Sequence, residues 1–146
     1  MSGFGAATPL YRIDVATGEL TTFYDGPAHA KQPHETGLWV LVEDGGELLD
    51  VSFSGGVRTL ARQVTSGWQP LSGDRVVTPY AVGDDKIGSL IVVDSATLEE
   101  RYIDHRVLAR STSVFGEWPD GGDLISYMVV DEDPERHGIW LAKPAK

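Results

Sequence analysis

The sequence predicts an all-β fold made of four-stranded antiparallel meanders. Three observations support this prediction. The 146 residues include 17 Gly and 8 Pro, a turn-rich composition that favours strands over a helix bundle. Runs rich in Val, Ile, Tyr and Thr end at polar turns and then restart, as in antiparallel sheets. The runs and turns recur about every 40 residues, a spacing that is typical of repeat architectures.

The clearest repeat is a hairpin that occurs twice. The segment YRIDVATGEL, residues 11–20, returns as LIVVDSATLEE, residues 90–100. The alignment pairs the following residues in order: Asp14, Ala16, Thr17 and Glu19 with Asp94, Ala96, Thr97 and Glu99. A third hairpin of this type spans residues 47–64 and turns at Ser54-Gly55-Gly56. Gly in such turns supplies the positive φ that a tight hairpin requires.

A second series of hairpins lies between the members of the first. Its turns are Thr36-Gly37, Ser72-Gly73-Asp74 and Asp120-Gly121-Gly122. Each turn leads into a β-rich run, and these runs are Leu38 to Val42, Val76 to Val82 and Leu124 to Val130. The two series together define a unit of four strands, A to D.

The single domain, residues 1–146, divides into parts of this unit. The chain opens with strands C and D at residues 10–24. Two complete units follow at residues 28–64 and 68–103. Strands A, B and C of a last unit occupy about residues 113–142.

The stretch TSGWQPLSGDRVVTPYAVGDDKIGSLIVVDSATLEERYID, residues 65–104, resembles a blade of the TolB-like, WD-repeat-like β-propellers. Trp118-Pro119-Asp120-Gly121 is similar to that family's W-S-P-D-G turn. Residues 10–14, LYRID, followed by Thr17-Gly18-Glu19, are similar to its L-Y-V-V-D and T-G-E signature. The resemblance implies β-propeller blades and implies no particular activity, because such blades serve many functions.

Known rings of this kind have four or more blades, whereas this chain holds about three and a half, so we expect an incomplete ring. Three arrangements are open. A homodimer completes a ring of six or seven blades, each chain lending its N-terminal hairpin to the other's last blade. Alternatively, the chain is part of a longer protein, or the strands close into a single small antiparallel barrel.

Charge and composition limit the partners and the compartment. The net charge of −10 disfavours nucleic acid and anionic membrane surfaces. The chain has no Cys, and its apolar runs are far shorter than the roughly 18 residues of a membrane-spanning helix. We see no basic region followed by an apolar run near Met1, which predicts no signal peptide and a cytoplasmic protein.

The strand order sorts the connections onto two rims. The A–B and C–D turns are short and share one rim, while the D–A and B–C connections are longer and polar and share the other. Long loops on a rigid scaffold often carry binding sites. The D–A loops are residues 25–31, 63–69 and 104–112, and the B–C loops are residues 43–47, 82–88 and 131–137.

The candidate ligand-binding residues lie in or beside these loops: His29, Trp68, Asp85, His105, Arg106, Arg110, Arg136 and His137. Arginines clamp carboxylates or phosphates through paired hydrogen bonds, although they also pair with acids such as Asp104. Tryptophans anchor ligands, although at recurring blade positions they also pack in the core.

Catalytic and metal-binding motifs are missing from the sequence. It contains no G-x-S-x-G, H-E-x-x-H, P-loop or G-x-G-x-x-G motif. Neither His29 with His34 nor the acidic run 131–135 has the spacing of a metal site. We therefore expect no metal and no cofactor.

Two classes of function remain open. The first is a non-enzymatic binding or interaction module that holds a protein or a small ligand on the loop-rich rim. The alternative is a small β-fold enzyme of the lyase, isomerase or cyclase type, with His29, His105 or His137 as acid or base. An enclosed apolar pocket holding a His and an Arg would indicate the enzyme, and an open, polar rim the binding module.

Overall fold

The computed structural model describes residues 10–65, 67–119 and 121–144, with the backbone alone at Gly116 and Glu117. These residues form thirteen strands and no helix, which confirms the predicted all-β class. They therefore contain no helix of the length and apolarity that crossing a membrane requires. The strands are β1 Leu10–Ile13, β2 Leu20–Tyr24, β3 Ala30–His34, β4 Gly37–Leu41, β5 Gly46–Ser52, β6 Val57–Val64, β7 Gln69–Leu71, β8 Arg75–Tyr80, β9 Ile87–Asp94, β10 Glu100–Leu108, β11 Ser113–Glu117, β12 Asp123–Val129 and β13 Gly138–Ala142.

The strands group into four successive antiparallel modules. Module 1 is the hairpin β1–β2, module 2 the meander β3–β6, module 3 the meander β7–β10, and module 4 the three strands β11–β13. The strands of modules 1, 2 and 4 lie within residues 10–24, 28–64 and 113–142. Module 3 runs past residue 103, because β10 continues to Leu108.

The hairpin that occurs twice in the sequence has the same hydrogen bonds in both copies. In the first copy, Asp14 Oδ1 accepts hydrogen bonds from the N–H groups of Ala16 and Thr17, at 2.9 and 3.1 Å. Thr17 Oγ1 accepts one from the N–H of Glu19 at 3.2 Å. The second copy repeats the three bonds at 2.8, 3.1 and 3.2 Å. Its residues are Asp94, Ala96, Thr97 and Glu99. The repeated letters therefore encode one turn structure, in which side chains satisfy backbone donors.

Adjacent meanders are joined where the last strand of one meets the second strand of the next. Val64 of β6 pairs with Tyr80 of β8, and Val107 of β10 pairs with Val129 of β12. Beside each pair a residue with positive φ accepts a backbone hydrogen bond from the next module. These bonds run from Ala81 to Gln63 (3.1 Å) and from Val130 to Arg106 (2.9 Å). The two junctions are therefore built alike.

These junctions make nine strands into one strongly curled antiparallel sheet that runs from β3 to β11. Its two end strands are not paired with each other among the described residues, so the sheet is an incomplete ring, as predicted. The alternative of a single closed barrel is not formed by this part of the chain.

The core consists of three apolar clusters, one between each pair of successive modules. Val40, Leu49 and Val51 of module 2 pack beneath the hairpin, which contributes Leu10 and Phe23. The other two clusters lie on opposite faces of module 3, since neighbouring side chains of a strand point in opposite directions. Toward module 2 it presents Val76, Ile91 and Val93, and toward module 4 it presents Val77, Leu90 and Val92.

Candidate functional site

The short turns and the long connections lie at opposite ends of the modules. Backbone hydrogen bonds join the two short turns within a module, from Phe53 to Thr36 at 3.0 Å and from Ser95 to Asp74 at 3.0 Å. At the other end, the long connections contact one another, as where the N–H of Ala109 donates to Lys86 O at 2.7 Å.

Four of the long connections surround one cleft, which we call the rim cleft, with a volume of about 400 Å³. Its walls are residues 44 and 45 between β4 and β5, Thr65 after β6, residues 82–84 and 86 between β8 and β9, and residues 109 and 110 after β10. Modules 2 and 3 therefore both contribute to it. A volume of this size suits a small molecule or a short protein segment.

Charged side chains of both signs line the rim cleft. Lys86 and Arg110 provide two cations, and Asp44 and Asp84 provide two carboxylates. Within the described ranges, neither Lys86 nor Arg110 makes a side-chain hydrogen bond or ion pair with another residue. These two side chains can therefore meet an anionic group without first breaking a bond inside the protein.

Lys86 and Arg110 both have an unusual backbone conformation. Lys86 has φ of 66° and Arg110 has φ of 65°, in the left-handed region that residues with a Cβ seldom occupy. The N–H of Lys86 donates to Gly83 O at 2.9 Å, and the carbonyl of Lys86 accepts from Ala109. Strained backbone of this kind persists where neighbouring structure enforces it, and it is enriched at functional sites.

Thr65 adds a polar group to the wall of the rim cleft. Its Oγ1 is buried and has no hydrogen-bond partner among the residues that the structure describes. A buried hydroxyl without a partner costs about 1–3 kcal/mol. A polar ligand in the cleft that reached this oxygen would remove that cost.

Of the three predicted arginines, Arg110 alone lines the rim cleft. Arg106 is committed to the junction with module 4, where its Nε donates to Val130 O at 2.8 Å. Asp85 lies between two cleft residues, and its Oδ1 accepts a hydrogen bond from the N–H of Ile87 at 3.0 Å. Asp85 therefore shapes the β8–β9 connection.

Arg136 lies in a separate network centred on Asp104. Its Nη2 is 2.7 Å from Asp104 Oδ1, and the Tyr127 hydroxyl donates to Oδ2 at 2.9 Å. The backbone N–H of His105 donates to Oδ1 at 2.8 Å. The Arg136 guanidinium also lies over the ring of Trp140, 5.0 Å from its centroid.

This network shifts the ionisation of its members. Burial would raise the pKa of the Asp104 carboxyl, but hydrogen bonds from Arg136, the His105 N–H and Tyr127 bring that pKa below its ordinary value. Burial and the hydrogen bond to Asp104 raise the pKa of Tyr127. The hydrogen bond to Asp104 raises the pKa of Arg136. The Arg136 guanidinium is therefore already paired with Asp104, and it would have to break this pair to bind a ligand.

The three predicted histidines are exposed, and none of them lines the described rim cleft. The N–H of His29 donates to Leu41 O at 2.7 Å, just before β3. His137 Nδ1 accepts a hydrogen bond from the N–H of Asp131 at 3.3 Å. The ring of His105 stacks near Tyr102 at a centroid distance of 6.5 Å.

Two expectations need correction. Trp68 is 9% exposed and packs edge-on to Trp39 in the cluster between modules 2 and 3, with ring centroids 6.3 Å apart, so its ring is part of the core. Residues 104–112 are not one loop, because β10 continues to Leu108. Its pairing with β9 shifts at Asp104, and this irregularity lets the strand bend and continue. His105 and Arg106 therefore stand on a strand.

The sequence prediction missed Lys86, Thr65 and Asp44 as cleft residues. A signal for Lys86 exists, since it is the one cation in the charged run Asp84-Asp85-Lys86, which lies between Gly83 and Gly88 in a predicted long loop. No group of three or more His, Asp or Glu side chains that could hold a metal ion occurs in the described part of the chain. The chain matches no protein-family model, no curated protein and no solved structure.

Proposed function

We propose that this chain is a non-enzymatic binding module that holds a small molecule or a protein segment in the rim cleft through an anionic group. The observation that carries the proposal is the pair Lys86 and Arg110, two cations that line one cleft without a side-chain partner among the described residues. A carboxylate or a phosphate is the chemistry that such a pair recognises.

The distribution of histidines supports binding over catalysis. The enzyme predicted as the alternative uses His29, His105 or His137 as its acid or base, so one of these side chains would have to lie at the substrate. The rim cleft has Arg110 in its wall, but the described histidines lie elsewhere, and the exposed rings of His29 and His137 share no cavity with it. The carboxylate of Asp84 in the same wall suits a ligand that also carries a hydrogen-bond donor or a positive group.

The modular scaffold supports the same interpretation. Stacked antiparallel meanders with short turns at one end and long connections at the other are the arrangement expected of TolB-like blades, so the resemblance to that family is part of the proposal. A protein partner would cover the rim, and a small ligand would fill the cleft alone. The cytoplasmic location stays a prediction of the sequence.

The test is a titration of ¹⁵N-labelled protein with sodium phosphate and, separately, sodium succinate, at constant ionic strength maintained with sodium chloride. We expect amide shifts confined to the walls of the rim cleft, at Gly45, Gly83, Lys86, Ala109 and Arg110. The stronger of the two titrations identifies the anionic group. Absence of shifts with both anions at millimolar concentration would overturn the proposal.

Variants make the test specific. Arg110→Ala and Lys86→Ala should each weaken the stronger anion about 10-fold or more, because each removes a charge-assisted hydrogen bond of roughly 1.5–3 kcal/mol. The control is Arg101→Ala, which removes an exposed arginine from the opposite end of module 3 and should leave the affinity unchanged. Equal weakening by all three variants would indicate non-specific attraction.

A further inference from the structure

Among the residues that the structure describes, both ends of the row of modules leave an apolar face uncovered. The hairpin of module 1 packs one face on module 2, and its opposite face exposes Tyr11, Ile13 and Leu20 by 60, 61 and 62%. Ile13 and Leu20 are cross-strand partners, and Tyr11 pairs with Thr22, so the three apolar side chains form one patch, the hairpin face.

Module 4 presents the second uncovered face. Ile139 and Leu141 of β13 are 79 and 54% exposed, and they pair with Met128 and Ser126 of β12. Their strand neighbour Tyr127 faces the cluster shared with module 3. Because side chains alternate across a strand, Ile139, Met128 and Leu141 lie on the opposite, outer face. Phe115 follows Val114, a residue of the same cluster, and is 49% exposed. We call this surface the terminal face.

We propose that the hairpin face of one chain packs on the terminal face of a second copy, so that two chains close a ring. Within the described part of the chain, each pair of successive modules packs together through an apolar cluster. The two uncovered faces are the same kind of surface, and the open sheet keeps them apart within one chain. In a dimer with twofold symmetry, the hairpin face and the terminal face of both copies are covered.

The area supports a stable pair. Covering a large, half-exposed apolar side chain removes roughly 100 Å² of surface, and six such side chains meet at each contact. A twofold pair has two contacts, and together they bury roughly 1,200 Å², within the range of specific interfaces. The partner is a second copy of the chain, because each copy has both a hairpin face and a terminal face.

Charge gives the pair a recognisable salt dependence. Each chain has a net charge of −10, so two copies repel one another at low ionic strength. The proposed contact is apolar. Added salt therefore screens the repulsion between the two chains and does not weaken the contact. Sodium chloride should therefore strengthen the association, whereas it would weaken a pair held by ion pairs.

Analytical ultracentrifugation over a range of concentrations tests the proposal. We expect a species of twice the 15.8 kDa chain mass. Ile13→Lys and Leu141→Lys should each raise the dimer dissociation constant at least 10-fold. Val57→Lys changes a residue of similar exposure, 54%, outside both faces and should leave the constant unchanged. A chain that stays monomeric at high concentration would overturn the proposal, and so would filaments, because a head-to-tail contact that does not close gives polymers.

A mixing experiment separates loss of the contact from loss of the fold. In a dimer of Ile13→Lys with Leu141→Lys, both changes fall in one contact, and the other contact keeps two unaltered faces. The equimolar mixture should therefore contain more dimer than either variant alone. No gain on mixing would contradict the proposed pairing, and the circular dichroism spectrum of each variant checks that the sheet is intact.

Discussion

Leu98 occupies, in the second copy of the repeated turn, the position that Gly18 occupies in the first. The N–H of each donates to the carbonyl of the turn's aspartate, at 2.7 Å for Gly18 and 2.8 Å for Leu98. The φ angles are 74° and 62°, so both residues are left-handed. Glycine takes this conformation without a steric penalty, whereas leucine does not. The two turns have the same structure, but the copy with Leu98 has a steric cost that the copy with Gly18 does not have.

Replacing Leu98 should therefore stabilise the protein. Leu98→Gly relieves left-handed strain of roughly 1–2 kcal/mol and adds unfolded-state entropy of about 0.4–1 kcal/mol, so we expect a net gain of about 0.5–1 kcal/mol. Gly18→Ala is the reciprocal variant, and it should lose about 1 kcal/mol. Beyond residue 18 and its two chain neighbours, no atom of the described residues lies within 4 Å of a Cβ added there, so the loss would come from backbone strain. Urea denaturation measures both, and a less stable Leu98→Gly protein would contradict the argument.

Gly37 is required for a different reason, the close approach of β4 to β5. A Cβ at residue 37 would overlap the carbonyl oxygen of Val51 and lie 3.0 Å from Ser52 Cα. Both are backbone atoms and cannot rotate away. Gly37→Ala should lower the free energy of unfolding by about 2–3 kcal/mol, comparable with overpacking a core.

Gly56→Ala is the matched control for Gly37→Ala, because the nearest atom to its added Cβ is Ser52 Cβ at 4.0 Å. This variant should be neutral or slightly stabilising. Thermal denaturation followed by circular dichroism compares the two, and similar melting temperatures for both variants would show that the strands can separate to admit a methyl group.

The fold could be predicted from the sequence because its signals are local. The side chains of Asp94 and Thr97 accept hydrogen bonds from backbone N–H groups two or three residues further along the chain. A short stretch of sequence therefore determines this turn. The course of β10 could not be predicted in this way. Arg106 has positive φ, and its place in a strand depends on pairing with β9 and on the bond to Val130, which is distant in sequence.

The candidate site was predicted in part for the same reason. The alternation of short and long connections is visible in the sequence, and it places Arg110 at the end of the modules that carries the long connections. Which connections approach each other depends on how modules 2 and 3 pack, and this packing brings Lys86 beside the segment of Arg110. It also buries Trp68 between the same modules. Local patterns contain no information on either outcome.

Asp123 joins modules 3 and 4 and should be important for stability. Its carboxylate accepts hydrogen bonds from the N–H and hydroxyl of Ser72, the latter at 2.8 Å, and pairs with Arg75 at 3.3 Å. Both charged side chains are about nine-tenths buried. Asp123→Ala would leave a buried guanidinium without this partner, and we expect a loss of about 3–5 kcal/mol.

An exposed ion pair serves as the control for Asp123. Arg101 and Glu99 are 3.3 Å apart, and both side chains are more than half exposed. Glu99→Ala should change the free energy of unfolding by less than about 1 kcal/mol, since solvent already screens the pair. A loss at Asp123 no larger than that at Glu99 in urea denaturation would mean that water replaces the buried partners.

Asp104 should make the stability depend on acidic pH. Its folded pKa lies below the unfolded value of about 4, so its contribution is present above pH 4 and is lost as the pH falls through the folded pKa. Asp104→Asn should therefore be less stable than the original protein by about 1.5–3 kcal/mol at pH 7, and the gap should narrow at pH 2–3. Denaturant titrations at the two pH values measure the gap, and a gap that is constant with pH would exclude the carboxylate as its source.

Tyr127 should limit the stability at alkaline pH. Its folded pKa is raised above the unfolded value of about 10, first by burial and then by the hydrogen bond to Asp104. Its contribution is therefore complete below pH 10 and is lost as the pH rises above that value. Tyr127→Phe should cost about 1 kcal/mol at pH 7, and the gap should narrow above pH 10. Tyr80→Phe controls for loss of a hydroxyl, because the Tyr80 hydroxyl accepts an exposed hydrogen bond from Gln63 Nε2 at 3.4 Å and lies outside both proposed contact faces. If the two variants responded alike to pH in denaturant titrations, Tyr127 would not be the group responsible.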